Sequence, residues 1–220
     1  MTETVVVPGP RDVRGSLDLP AAGAGSDSAA NADPSACVVA CPPHPQLGGT
    51  RSDSRLVAVS DALCERGVAC LRIDYGPWDE GRGECRDARA ALSWAGERYE
   101  RVGAFGYSFG ATVALAAAAR ECEREPDSVA AVSALAPAAT VGGDDDTDGP
   151  LDARAALDAL DCPVQVVYGE RDETGDWRPV VERARERGFA VEGVPADHHF
   201  VGQADAVGER VAAFLADVLR

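Results

Sequence analysis

The sequence contains no lysine, so its 21 basic side chains are all arginine, set against 37 aspartates and glutamates for a formal charge of −16. A phosphate backbone would be repelled by such a surface, and nucleic acid is not an expected partner. Self-repulsion of this size weakens a compact state at low ionic strength but is largely screened at about 1 M salt, where the Debye length falls to about 3 Å. The charge and the missing lysine together point to a salt-rich cytoplasm. A GC-rich genome, which favours arginine over lysine codons, accounts for the composition without any salt.

Long apolar runs are also absent. The longest run of small apolar residues, 111–119, is about half of the roughly 20 residues a membrane span needs, so it reads as a buried helix and no membrane association is expected. The first ten residues lack the basic start and apolar run of a signal peptide and read as a strand, which makes a cytoplasmic location the expectation. The seven cysteines, Cys37, Cys41, Cys64, Cys70, Cys85, Cys122 and Cys162, are odd in number and form no CxxC pair. Reduced, mostly structural thiols follow, with Cys41 the one placed near candidate chemistry. In the acidic segment 140–150, Asp144, Asp146, Asp148 and Gly149 match the first half of a calcium loop. Ala155 stands where a bidentate glutamate should close it, so no metal is expected.

A chain of 220 residues with 45% hydrophobic content suits one domain, 1–220, around one core. Short β-branched runs alternate with longer amphipathic ones, the pattern of an α/β, three-layer α/β/α architecture with a mostly parallel sheet. Strands at 4–7 and 13–19, linked by Pro8-Gly9-Pro10, predict an antiparallel hairpin at a sheet edge. The unpatterned residues 21–35 read as a surface loop. Strands then follow at 37–41, 68–73, 102–105, 129–135, 164–168 and 190–194, and helices at 54–66, 84–99, 109–120, 177–187 and 203–219. The segment between the strands at 129–135 and 164–168 is too short for an inserted lid domain.

Gly106-Tyr107-Ser108-Phe109-Gly110 is a Gly-x-Ser-x-Gly pentad lying directly between an apolar strand and an alanine-rich helix. In that setting the glycines admit a sharp turn that projects the serine hydroxyl above the sheet, at a helix N-terminus that favours developing negative charge. A serine hydroxyl is a weak nucleophile and needs a base, which in turn needs a carboxylate. Of the three histidines, His198 and His199 follow the last strand, and parallel strands present their C-terminal ends on one edge. Asp172 follows the strand at 164–168, with Glu173 and Asp176 as further candidates. The first oxyanion donor is the backbone amide of Phe109. The second comes from the loop after 37–41, where Pro42, Pro43 and Pro45 have no N–H, leaving His44 first and Gln46 second. Tyr75, Trp78 and Arg82 lie in the turn 74–83 beside the same edge, and the aromatic pair stands either at a pocket rim or as loop anchors.

The pentad and the order Ser, Asp, His resemble the α/β-hydrolase superfamily across nearly the whole chain. The resemblance is greatest to the small cap-less hydrolases related to dienelactone hydrolases and short-chain esterases, which carry a His-Pro-His-Pro-x-x-Gly-Gly loop after their third strand. Here that loop reads Pro42-Pro43-His44-Pro45-Gln46-Leu47-Gly48-Gly49, with Pro42 in place of the first histidine. The family's Gly-Ala-Asp-His-Phe-Phe ending aligns Pro195-Ala196-Asp197-His198-His199-Phe200, which favours His198 as the base and leaves His199 for packing or a pocket rim. Dienelactone hydrolases proper carry cysteine where this chain has Ser108, so their specific activity is not implied. The resemblance implies hydrolysis of a carboxylic ester or related acyl bond of a small molecule, with no cofactor. A peptidase or thioesterase on the same residues, or a non-catalytic binding protein on the same scaffold, are the alternatives. The thermal midpoint is expected to rise between dilute and molar potassium chloride; a midpoint unchanged across that range in a thermal melt would count against adaptation to salt.

Overall fold

The computed structural model describes residues 1–21, 34–143 and 149–220. All but the ends of the expected loop at 21–35 lies outside the described residues, as do Asp144, Asp146 and Asp148. The chain opens with β1 (Thr2–Val7) and β2 (Val13–Asp18), which pair antiparallel from Thr2 with Asp18 to Val7 with Val13. There follow β3 (Ala36–Cys41), a 3₁₀ turn (Pro45–Leu47), α1 (Ser54–Glu65), β4 (Ala69–Asp74), α2 (Arg82–Gly96), β5 (Arg101–Tyr107), α3 (Phe109–Arg124) and β6 (Ala131–Leu135). The final third comprises β7 (Thr140–Val141), β8 (Leu151–Asp152), α4 (Ala153–Ala159), β9 (Val164–Gly169), α5 (Arg178–Glu186), β10 (Ala190–Val194) and α6 (Ala204–Val218).

The main sheet has eight strands in the order β1-β2-β4-β3-β5-β6-β9-β10, parallel from β4 onward, with the hairpin at its edge as expected. β3 shows why its residues form a central strand: all six are buried, and they alternate between two cores. Cys37, Val39 and Cys41 face the layer of α2, α3, α4 and α5, whereas Ala36, Val38 and Ala40 face α1 and α6. Glycine lets the helices approach closely, for a Cβ on Gly208 of α6 would lie 2.8 Å from the Ala58 carbonyl of α1. Among the described residues no helix is long and apolar enough to cross a membrane.

Several expected boundaries shift. α2 begins two residues early because Glu84 reaches back to accept the Gly81 and Asp79 amides at 2.8 and 3.0 Å, closing its first turn. The 129–135 strand starts at Ala131, and α3 runs four residues past its expected end. α4 and the two-residue pair β7–β8 were not anticipated. Asp152 caps α4 by accepting the Arg154 and Ala155 amides at 2.8 and 3.2 Å, a signal legible as an aspartate before an alanine-rich stretch.

One buried polar cluster ties the hairpin to the parallel sheet. Asp18 accepts from Thr2 Oγ1 of β1 and Ser60 Oγ of α1 at 2.6 Å each, and from Arg72 Nε of β4 at 2.7 Å. Burial alone would raise its carboxyl, but these three donors outweigh it and hold the group below the usual carboxylate range. A carboxyl lowered on folding stabilises the protein above its unfolded value, and that contribution is lost as pH falls through the folded value. Asp18→Asn is therefore expected to destabilise by about 1–3 kcal/mol at pH 7. In urea denaturation the gap from the parent should close below about pH 4, where the native aspartate also protonates; a gap constant with pH would contradict this assignment.

Candidate active site

Ser108 sits between β5 and α3 in a backbone conformation unusual for a residue with a side chain, at φ 57° and ψ −122°. Such strain is of order 1–3 kcal/mol and persists only where the surroundings dictate it. Here both flanking glycines do so. A Cβ on Gly106 would lie 2.0 Å from the Gly110 carbonyl oxygen, and one on Gly110 would lie 2.3 Å from the carbonyl oxygens of Cys41 and Pro42. The Ser108 amide donates to Leu135 at the end of β6 at 2.8 Å, and its hydroxyl is left partly exposed above the sheet.

Asp172 follows β9. Its Oδ1 accepts the backbone amides of Thr174 and Gly175 at 2.8 and 3.0 Å, which leaves Oδ2 for a further partner. The loop is anchored by Trp177, whose Nε1 donates to the Asp172 carbonyl at 3.0 Å and whose ring stacks on Tyr168 at 4.4 Å. Glu173 and Asp176, the other acid candidates, make no contact with the histidine.

His198 follows β10, three strands from β5 and so about 14 Å away across the sheet. The loop bridges that span by folding back over β9: the Arg171 amide donates to the Ala196 carbonyl at 3.0 Å. Gly169 makes room for it, since a Cβ there would lie 2.7 Å from the carbonyl oxygens of Ala196 and Asp197. Tyr107, an unspecified position of the pentad, completes the return by donating its hydroxyl to the His198 carbonyl at 3.0 Å. His198 Nδ1 then lies 2.6 Å from Asp172 Oδ2, and Nε2 lies 2.9 Å from Ser108 Oγ. Because the carboxylate claims the Nδ1 proton, the Nε2 lone pair faces the hydroxyl. His199 is exposed and meets His198 only ring edge to face, at 5.5 Å.

The loop after β3 also reaches this edge. His44 precedes the 3₁₀ turn, and its ring packs on Trp78 at 4.6 Å and Phe109 at 4.9 Å. Among the described residues no hydrogen-bond acceptor meets the backbone amides of Phe109 or His44. Gln46, the second candidate, is exposed. The His44 imidazole is held below its ordinary value by burial, against the opposing pull of the Glu84 carboxylate, and its Nδ1 is enclosed without a partner. Tyr75 and Trp78 join the same cluster of rings, at 5.9 and 5.7 Å from Phe109. Arg82 instead starts α2, beside Asp79 and Glu80 at 3.5 and 3.7 Å. Cys41 is buried beneath the site and burial pushes its thiol up to about 12, so it stays protonated.

Solved structures share this arrangement of strands and helices over nearly their whole length. A lidless α/β serine hydrolase from Xanthomonas campestris is 21% identical, with a TM-score of 0.75 over 99% of this chain and 95% of that one. The chain has the α/β-hydrolase fold. A dienelactone hydrolase from Anabaena variabilis with the same fold is 21% identical, with a TM-score of 0.69 over 100% of this chain and 99% of that one. One of two fungal esterases from Rhizomucor miehei is 16% identical, with a TM-score of 0.75 over 100% of this chain and 84% of that one. No protein-family model matches the sequence, and no curated protein matches it significantly.

In this α/β-hydrolase fold, the residues sequence reasoning missed are those that hold the loops rather than the chemistry: Tyr107, Trp177, Gly169 and the Thr174 and Gly175 amides. Gly169 and Gly175 differ in an instructive way, since a methyl on Gly175 would make only ordinary 3.6 Å contacts with Asp172 and His198. Gly110→Ala is expected to lower the unfolding free energy by about 3 kcal/mol because the backbone carbonyls of Cys41 and Pro42 block the methyl, and Gly175→Ala by less than about 1 kcal/mol. Denaturant titration of the two variants checks the contrast.

Proposed function

We propose that this protein is a serine hydrolase that cleaves a carboxylic ester or related acyl bond of a small molecule through an acyl-enzyme on Ser108. The observation that carries the reading is the unbroken hydrogen-bond chain from Ser108 Oγ through His198 to Asp172. His198 takes the hydroxyl proton at Nε2 as Ser108 attacks the carbonyl, and Asp172 holds the ring's tautomer and steadies the imidazolium. The amides of Phe109 and His44 receive the oxyanion in the tetrahedral intermediate, each such donor being worth about 2.7–4 kcal/mol. His198 then protonates the leaving group and, in the second half, activates the water that releases the acid.

Several features support the rest of the reading. Tyr75, Trp78, His44 and Phe109 offer a ring-lined wall beside the nucleophile, suited to a flat or apolar acyl or alcohol group. The chain works as one domain without an inserted lid, so the site is open and favours small or exposed substrates. The acid surplus and the exclusive use of arginine support a salt-rich cytoplasm as its setting and speak against nucleic-acid or membrane partners.

Ser108→Ala is expected to reduce turnover of a short p-nitrophenyl ester by about five to six orders of magnitude with the thermal midpoint unchanged, and Asp172→Asn by about three to four. A fluorophosphonate probe should label Ser108 and fail on the Ser108→Ala variant. Parent protein that stays unlabelled would overturn the proposal in favour of a non-catalytic scaffold, and a panel of esters, thioesters and peptides assigns the bond.

A further inference from the structure

The turn that carries Tyr75 and Trp78 does not hold its own shape. Among the described residues no backbone hydrogen bond joins two residues of 75–81 to each other. The polar backbone groups of the turn go instead to three charged side chains from outside it. Asp87 of α2, only 1% exposed, accepts the Gly76 amide at 2.9 Å. Glu84, fully buried, accepts the Asp79 and Gly81 amides. Arg11, from the turn between β1 and β2, donates Nη2 to the Pro77 carbonyl and Nε to Asp87 Oδ1, the latter at 2.9 Å.

Arg11 belongs to a part of the chain that the proposed hydrolysis does not use. β2 runs antiparallel to β4, pairing Arg14 with Asp74, so the β1–β2 turn arrives at the edge where the parallel strands end and Ser108 lies. Two glycines make room for it. A Cβ on Gly76 would lie 2.6 Å from the Arg11 carbonyl oxygen, and one on Gly83 would run into the guanidinium itself. Pro77 and Asp79, the two neighbours of Trp78, are thus held by Arg11 and Glu84 respectively. The indole between them is presented to the rings of His44 at 4.6 Å and Phe109 at 5.7 Å, and Phe109 directly follows Ser108. A displacement of Pro77 therefore moves this wall relative to the nucleophile. Ser108, Asp172 and His198 stand on other elements and are not part of the clamp.

We propose that Arg11 is a positioning residue for substrate selection: it fixes the Trp78 wall against the Ser108 site and so sets how well a flat group of the substrate is held. The proposal rests on the reading of Ser108 as the nucleophile. Arg11 touches no substrate and acts through Pro77 and Trp78. Its loss leaves Asp87 buried without its cation and the Pro77 carbonyl without its donor, so the turn gives way at the point where the indole is attached.

The experiment compares the full-length parent, Arg11→Met, Trp78→Ala and the double variant on ethyl acetate, ethyl benzoate and benzyl acetate in a pH-stat. In Arg11→Met the preference in kcat/KM for the better aromatic ester over ethyl acetate is expected to fall about tenfold, carried by KM rather than kcat. Trp78→Ala should lose as much, and the double variant no more than either, because residues acting through one another are not additive. Hydrogen exchange of residues 75–81, followed by mass spectrometry, should be at least about tenfold faster in Arg11→Met. Arg11→Lys keeps the charge but cannot bridge Asp87 and Pro77 together, so it should behave alike and supplies the comparison if Arg11→Met does not fold. Losses shared equally by ethyl acetate and the aromatic esters, additive losses in the double variant, or unchanged exchange would overturn the proposal. A parent that turns over none of the esters and takes no fluorophosphonate overturns the Ser108 reading instead, and the exchange comparison still decides the clamp.

Discussion

The close approach of the β5–α3 turn to the end of β3 governs the rest of this site. Gly110 lies so near the carbonyls of Cys41 and Pro42 that no side chain fits between them, and Gly106 is pressed as tightly against the turn's own exit. These contacts force Ser108 into its positive-φ conformation. They also bring the loop carrying His44 beside Phe109, so one constraint raises the hydroxyl and draws a second loop to the same edge.

Bringing the histidine to that hydroxyl is a separate problem with a separate solution. β10 lies too far across the sheet for its end to face β5 directly, and the chain covers the distance by crossing above β9. The crossing stays close to the sheet because Gly169 has no side chain and because Tyr107 draws the loop down by its hydroxyl. Asp172 lies beneath that crossing, so its carboxylate meets the imidazole without leaving its own turn. Two backbone amides steady the acid, and the whole arrangement uses few side chains beyond the three that touch one another.

How far the sequence could be read depended on the range of the interactions involved. The α/β alternation, the hairpin at the edge and the pentad between strand and helix are local patterns, and each appears where its residues announced it. Asp172 and His198 were legible because parallel strands deliver their ends to one edge, which turns chain position into spatial position. The choice of His198 over His199 rested on resemblance, and His198 is the ring that lies beside Ser108 Oγ. Tyr107, Gly169 and Trp177 were not legible, since each acts on a loop distant in sequence and none belongs to a pattern of its own. Arg82, read as part of the turn 74–83, instead opens α2, whose first turn Glu84 two residues on closes. α4 was overlooked although Asp152 announces it, because one capping residue before a stretch of seven is a weak signal beside an acidic run.

The composition of α3 bears on how well the site keeps its shape. Ala111, Ala114, Ala116, Ala117, Ala118 and Ala119 are all buried on this helix, directly behind the turn that holds Ser108. Alanine has no rotamers to exchange, so this face of the helix behind Ser108 has little freedom to absorb disturbance by repacking its side chains. The turn that carries Ser108 therefore rests on a face with few alternative side-chain arrangements.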